Sequence, residues 1–219
     1  MRRGLTIIEL VFSMVIIAIV FTVVPRIIYA ANKSMELSIK EDALFNAMSM
    51  MGRIMYLPWD EKNTRINDIL KTDSGKFPCL SDGYRVGGFK GSRNCIDTSG
   101  EDLSASAIGQ DSGSDDFNDI DDYDGYGIST KNNGKSMYDL NVSVANVDDD
   151  YENTAQNDSV SITYKDTSAS TGTTTNIKEV NVTVTLSSGS NRHIKPFSST
   201  FTYRSINLGQ IYINRVSWK

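Results

Sequence analysis

Residues 10–24 read LVFSMVIIAIVFTVV, fifteen consecutive residues without a charged side chain. Together with its flanks, this run approaches the roughly 20 residues that an α-helix needs to cross about 30 Å of hydrocarbon. Arg2 and Arg3 precede the run. Because basic residues favour the cytoplasmic side of a membrane, we expect the amino terminus in the cytoplasm and everything after Arg26 on the far side.

The helical pattern continues beyond the apolar run. Five apolar residues follow at spacings of seven, four, three and four, which places them on one helix face: Leu37, Leu44, Met48, Met51 and Met55. Glu36 and Lys40 form a supporting pair four residues apart. Since Pro58 disfavours helix in the residue before it, the pattern predicts one helix over about residues 5–56.

Pro25 lies inside this predicted helix. It removes one backbone donor, and its ring clashes with the preceding turn, so we expect a kink or a locally opened stretch at this position. The alternative is that Pro25 ends a conventional membrane anchor and that a separate helix follows.

An ordinary secretory signal is another alternative for this segment. Arg2 and Arg3 would form its basic region, and residues 28–30 would form its cleavage site. Two features argue against this interpretation. Glu9 places a carboxylate where a signal peptide is apolar, and the helical pattern does not stop at Ala30.

Residues 2–10, RRGLTIIEL, resemble the prepilin processing site of type IV pilins and type II secretion pseudopilins. The shared features are a short basic leader, a glycine at the cut, a hydrophobic first mature residue, a glutamate five residues into the mature chain and a long apolar run. The resemblance implies that prepilin peptidase cuts between Gly4 and Leu5 and then N-methylates the new amino group of Leu5. Gly4 suits such a cut because it lets the backbone lie extended in a protease cleft.

Glu9 carries the most specific mechanistic expectation. An ionised carboxylate in a bilayer is costly unless it is paired. The resemblance implies that Glu9 of one subunit meets the free amine of Leu5 of a neighbouring subunit during filament assembly. The alternative is that the Glu9 side chain reaches the cytoplasmic headgroups.

The resemblance also implies a layout and a set of partners. Residues 1–4 are a leader, 5–30 the transmembrane and assembly half of the helix, 31–57 its amphipathic half, and 58–219 a β-rich globular domain in the periplasm or on the outside of a filament. The expected partners are other pilin or pseudopilin subunits, the peptidase and an inner-membrane assembly platform. The protein is then a single-pass protein of the cytoplasmic membrane, with its amino terminus in the cytoplasm.

The globular part contains short alternating segments at residues 138–147, 159–164, 180–186 and 199–206, which are typical of half-buried strands. The Ser/Thr/Gly tract at residues 166–176 is interpreted as a hairpin loop between two of them. The sequence therefore predicts an α+β fold in which the amphipathic half of the helix packs on an antiparallel sheet.

The chain has two cysteines, Cys79 and Cys95, and they lack the CxxC spacing of a metal or dithiol site. In a domain outside the cytoplasm we expect a disulfide between them, which would add about 3 kcal/mol to stability. Two free buried thiols are the alternative.

The net charge is −5, and residues 97–158 hold sixteen acidic residues against only Lys131 and Lys135. This distribution argues against nucleic-acid binding, which needs clustered basic residues. Asp119, Asp121, Asp122 and Asp124 are candidate ligands for Ca²⁺, which prefers several oxygen ligands, and some pseudopilins use a calcium-bound loop. The spacing fails the EF-hand rule, however, because Tyr123 occupies the next ligand position. A solvated loop anchored by aromatic residues is the alternative, without any cofactor.

The sequence offers little for an enzyme. His193 is the only histidine, and no nucleotide-binding or nucleophile motif is present. We interpret the chain as a non-catalytic filament subunit, a minor pilin or pseudopilin. The alternative from another class is a membrane-anchored binding or adhesive domain that does not polymerise.

Overall fold

The computed structural model describes residues 6–66, 69–74, 104–110, 116–132, 135–149, 151–156, 159–164, 172–186 and 195–208. Gly4, Leu5, Cys79, Cys95 and His193 lie outside these residues. The predictions for peptidase cleavage, N-methylation and the disulfide therefore stay predictions.

Helix α1 spans Ile7–Met55 without interruption. At 1.5 Å per residue, its 49 residues extend about 74 Å. The helix is continuous through Pro25. The alternative prediction of a separate helix after Pro25 is thus wrong. The described residues contain no opened stretch at Pro25, and a bend there stays a prediction.

A four-stranded antiparallel sheet forms the body of the domain, and its strand order is β1-β2-β5-β6. Its strands are β1 (Gly127–Asn132), β2 (Lys135–Val147), β5 (Ile177–Leu186) and β6 (Phe197–Ile206). Among the described residues, two further strands, β3 (Tyr151–Gln156) and β4 (Ser159–Tyr164), pair with each other in a second sheet. The α+β fold class predicted from the sequence is confirmed.

The loop at residues 166–176 is not a hairpin loop. It follows β4, which pairs with β3, and it precedes β5, which pairs with β2 and β6. The length and composition of the loop could not reveal the strand pairing, because β5 pairs with β2 and the β3-β4 hairpin lies between them in the sequence. Strands β1 and β3 were not predicted from the sequence.

The carboxyl half of α1 packs mainly over β5 and β6. Alternate residues of β5, from Val180 to Leu186, point into the interface, as expected for a strand with one buried face. Ala43 and Ala47 are fully buried against them, and their small side chains let the helix lie close to the sheet. This interface is the centre of the hydrophobic core.

The helix face that packs on the sheet differs from the predicted one. The buried residues of α1 are Glu36, Ile39, Ala43, Ala47, Met51 and Ile54. Of the five predicted residues only Met51 is buried, Leu44 is half-buried, and Leu37, Met48 and Met55 are exposed. The five do share one side of the helix, but the sheet covers the stripe that lies about 100° around the axis. Residue size explains the difference, because two alanines permit an approach that a row of Leu and Met would block.

The short helix α2 (Glu61–Ile66) follows α1 along the chain, and a 3-10 helical turn (Asp121–Tyr123) contacts β2. The backbone N–H of Ile120 donates a hydrogen bond to the carbonyl of Pro58. This contact joins the segment that leaves α1 to the acidic segment before β1.

Candidate functional site

The amino half of α1 is exposed on all sides in the monomer. It is long and apolar enough to cross a membrane, and none of its most apolar window is buried inside the protein. The hydroxyls of Thr22 and Ser13 donate hydrogen bonds to backbone carbonyls one turn earlier in the helix. These hydrogen bonds lower the cost of placing the two polar side chains in an apolar environment. The helix is therefore consistent with a single-pass membrane anchor.

Glu9 is the only charged residue in the described helix before Arg26, and its side chain is exposed. It lies in the first turn of α1, where a carboxylate interacts favourably with the helix dipole. No other part of the described chain covers the helix at this level. The part of the chain that the structure describes therefore supplies no partner for Glu9 inside a membrane.

Apolar exposure on α1 does not end with the membrane-length segment. Leu37, Leu44, Met48 and Met55 follow one another at spacings of seven, four and seven, and we call these four residues the lateral stripe. Leu37, Met48 and Met55 are each about half exposed, although the sheet covers the neighbouring face of the same helix. The lateral stripe runs beside the sheet and leaves an apolar surface of α1 open in the monomer.

The ion pair of Glu36 and Lys40 lies between the membrane-length half of the helix and the half that packs on the sheet. Glu36 accepts a 2.6 Å hydrogen bond from Lys40 and a longer one from Lys33, which confirms the predicted pairing of Glu36 with Lys40. The pair lies at the level where the sheet begins to cover the helix.

The second feature is a buried group of charged side chains below the end of α1. Lys178, on β5, is 1% exposed, Asp60 is fully buried and Asp121 is 2% exposed. The ammonium nitrogen of Lys178 lies 2.7 Å from Asp121 Oδ1 and 3.8 Å from Asp60 Oδ2. It also donates to the carbonyl of Trp59 and lies 4.1 Å from the centre of the Trp59 ring.

Ser106 connects the carboxylates of this group. Its Oγ lies 2.7 Å from Asp60 Oδ2, 3.1 Å from Asp121 Oδ2 and 3.2 Å from Glu61 Oε2. A hydroxyl has one proton to donate, so it cannot donate to all three oxygens at once. It therefore donates to one of these oxygens at a time and lies close to the other two.

Burial changes the titration of two carboxyl groups in this region. Burial, reinforced by the neighbouring charge of Asp121, raises the pKa of the Asp119 carboxyl to about 9. Burial also raises the pKa of Asp121, against the opposing effect of the Lys178 ammonium. The described cluster thus holds more carboxyl groups than its single buried ammonium can neutralise.

The four aspartates predicted as calcium ligands do not converge on one point. Within the described residues, one group of three acidic side chains has oxygens within 4.8 Å of one another, and it consists of Asp60, Glu61 and Asp119. Asp122 instead accepts the backbone N–H of Asn118, and Asp124 accepts that of Val144. Asp121 pairs with Lys178. Calcium binding stays a prediction, and an ion would compete with these partners.

The expectation of a solvated acidic loop is wrong for its centre. Asp119, Asp121 and Asp122 are buried, as are Ile120 and Tyr123. The sequence signal was the run of acids alone, and it gave no indication that Lys178 would neutralise one of them from 57 residues away. The aromatic anchoring was predicted, and Phe117, Tyr123 and Tyr126 pack together with ring centres 4.8 to 5.5 Å apart.

Residues 1–25 match the sequence profile of the prokaryotic N-terminal methylation motif. This motif is the signature of type IV pilins and pseudopilins, which are structural proteins. It agrees with the resemblance noted at residues 2–10 and covers the amino half of α1. Neither a curated protein nor a solved structure matches the chain.

Proposed function

We propose that the protein is a structural subunit, a minor pilin or pseudopilin, of a type IV pilus or type II secretion filament. The observation that best supports this proposal is that α1 leaves two apolar surfaces exposed in the monomer, its amino half and the lateral stripe. Lipid can cover only the first. Together with the methylation motif at residues 1–25, this favours a helix that is held by the bilayer and then by neighbouring helices.

Processing precedes assembly in this proposal. Prepilin peptidase removes residues 1–4 by cutting after Gly4 and N-methylates Leu5. The cut creates a cationic amine at the start of the helix. Glu9 of a neighbouring subunit then pairs with that amine, which offsets the cost of holding an ionised carboxylate in an apolar environment.

The globular domain faces away from the cytoplasm, because Arg2 and Arg3 favour a cytoplasmic amino terminus. In this orientation the disulfide between Cys79 and Cys95 forms in an oxidising compartment. Other subunits and an assembly platform in the inner membrane are the partners, and the protein has no catalytic role of its own.

The test is the intact mass of the protein from membranes and from sheared filaments of its native host. We expect a mass that lacks residues 1–4 and carries one additional methyl group. A full-length mass would contradict processing, and cleavage near Ala30 would identify a secreted protein.

A variant pair separates assembly from anchoring. Glu9→Ala should leave the protein in the membrane but remove it from filaments. Glu41→Ala should leave it in both the membrane and the filaments, because Glu41 is an exposed glutamate of the same helix outside the membrane-length segment. Incorporation of Glu9→Ala at the level of the unsubstituted protein would favour the alternative function, a membrane-anchored binding or adhesive domain that does not polymerise.

A further inference from the structure

We propose that Lys178 and Asp121 form an intramolecular isopeptide bond, which links β5 covalently to the acidic segment before β1. The bond joins the ammonium nitrogen of Lys178 to the carboxyl carbon of Asp121. This proposal is independent of filament assembly, because every group it uses lies in the globular part of the chain.

The two reacting groups are in contact and enclosed. Lys178 Nζ lies 2.7 Å from Asp121 Oδ1, which places it within about 4 Å of the carboxyl carbon, close to the roughly 3–3.5 Å from which attack proceeds. Both side chains are almost completely buried. The ring of Trp59 covers the nitrogen on one side, so water has little access to the pair.

Burial favours the amide over the ion pair. An ammonium and a carboxylate held away from water each lose their hydration, and their attraction only partly compensates for that loss. Condensation replaces two buried charges by one neutral amide. In water the reverse reaction is favoured, but an enclosed site that releases its one product water does not supply the solvent that hydrolysis needs.

The surrounding groups provide a path for the protons. Asp60 Oδ2 lies 3.8 Å from Lys178 Nζ on one side and 2.7 Å from Ser106 Oγ on the other. Ser106 Oγ in turn lies 3.1 Å from Asp121 Oδ2. Asp60 and Ser106 therefore lie between the nitrogen and Asp121 Oδ2, the oxygen that must leave, and the path is complete once the 3.8 Å separation of Lys178 Nζ from Asp60 Oδ2 shortens to hydrogen-bond distance.

The reaction balances without any added reagent. Asp60 takes a proton from the Lys178 ammonium, and the freed lone pair attacks the carboxyl carbon of Asp121. Two hydrogens from the nitrogen reach Asp121 Oδ2 through Asp60 and Ser106, and this oxygen leaves as water when its bond to carbon breaks. The carbonyl of Trp59, 2.8 Å from Nζ, accepts a hydrogen bond from the nitrogen and orients it.

The experiment is mass spectrometry of the full chain, purified from membranes, reduced and denatured. We expect a mass lower by one water molecule than the sequence requires after any processing at the amino terminus. Trypsin should fail to cut after Lys178 and should release a branched peptide that contains both Lys178 and Asp121. An unmodified mass with normal cleavage after Lys178 would overturn the proposal and leave a buried ion pair.

Two controls make the result specific. A succinimide at Asp124-Gly125 also removes one water, but hydroxylamine destroys it and leaves an isopeptide bond intact. Lys178→Arg keeps the cation and should restore the full mass, while Ser106→Ala should slow bond formation about 100-fold after refolding, as expected for loss of a proton relay. Formation of the bond at an unchanged rate in Ser106→Ala would exclude the proposed path.

Discussion

The hydroxyl of Tyr138, on β2, donates a 2.8 Å hydrogen bond to Oδ2 of Asp42 on α1. The same hydroxyl accepts a 2.6 Å hydrogen bond from the side-chain amide of Asn46, one turn further along the helix. The Tyr138 ring is buried in the core, so its polar end fixes the position of the helix along the sheet.

Tyr138→Phe should therefore reduce the free energy of unfolding of the globular part by about 0.5–1.5 kcal/mol, the usual net value of one hydrogen bond. The loss is modest because Asp42 and Asn46 are exposed and can be hydrated instead. Chemical denaturation of the detergent-solubilised chain measures it. Tyr56→Phe is the control, since Tyr56 is almost fully exposed, and an equal effect of the two substitutions would contradict the role of Tyr138.

Ala47→Leu should destabilise the packing of α1 on the sheet. Ala47 is fully buried, and added methyl groups at such a position typically cost about 1–3 kcal/mol because neighbouring side chains must move. Ala31→Leu makes the same substitution at an exposed position of the same helix and should be nearly neutral. Thermal unfolding of both variants tests this, and tolerance of Leu at residue 47 would mean that the helix can lift from the sheet without cost.

The sequence predicted the positions of the helix and strands better than it predicted which surfaces pack against each other. The four predicted strands all exist, because alternation between polar and apolar residues is a local property of a half-buried strand. The prediction of which face of α1 packs on the sheet was wrong. The large apolar residues mark the lateral stripe, and the small side chains of Ala43 and Ala47 give no comparable signal. Hydrophobicity reports which surfaces avoid water but does not say whether the sheet or another molecule covers them.

The acidic cluster could not be predicted for a different reason. Asp60, Ser106 and Lys178 come from three distant parts of the chain, and each is an unremarkable polar residue in its own segment. Only the fold brings them together around Asp121. Lys178 occupies an inward-facing position of β5, where the alternation of the strand predicts an apolar residue.

The stability of the globular part should depend on pH through Asp119. Its pKa is raised by burial to about 9, so the folded state holds a proton that the unfolded state releases near the ordinary aspartate pKa of 3.8. Stability from this group is fully present below the unfolded pKa and is lost as pH rises through the folded pKa. The free energy of unfolding should thus fall between pH 5 and pH 9, by at most about 1.4 kcal/mol per pH unit.

Asp119→Asn removes the titration and retains an oxygen for the backbone N–H groups of Asp121 and Asp122, but its amide nitrogen replaces the oxygen that accepts the backbone N–H of Glu61, so the slope with pH and not the absolute stability is compared. Denaturation at several pH values should give a shallower slope for the variant than for the unsubstituted protein. A stability that rises with pH in the unsubstituted protein would show that Asp119 is charged when folded.

Met48→Glu should impair filament assembly and leave the isolated subunit intact. Met48 is 53% exposed within the lateral stripe, so a charge there should change the free energy of unfolding by no more than about 0.5 kcal/mol. In the proposed filament the same residue faces a neighbouring helix, where an unpaired carboxylate is desolvated and costly. Ser49→Glu introduces the same charge one residue away, outside the stripe, at another exposed position. The amounts of both variants in sheared filaments and in the membrane fraction give the answer, and equal incorporation of the two would mean that another surface of the helix makes the subunit contacts.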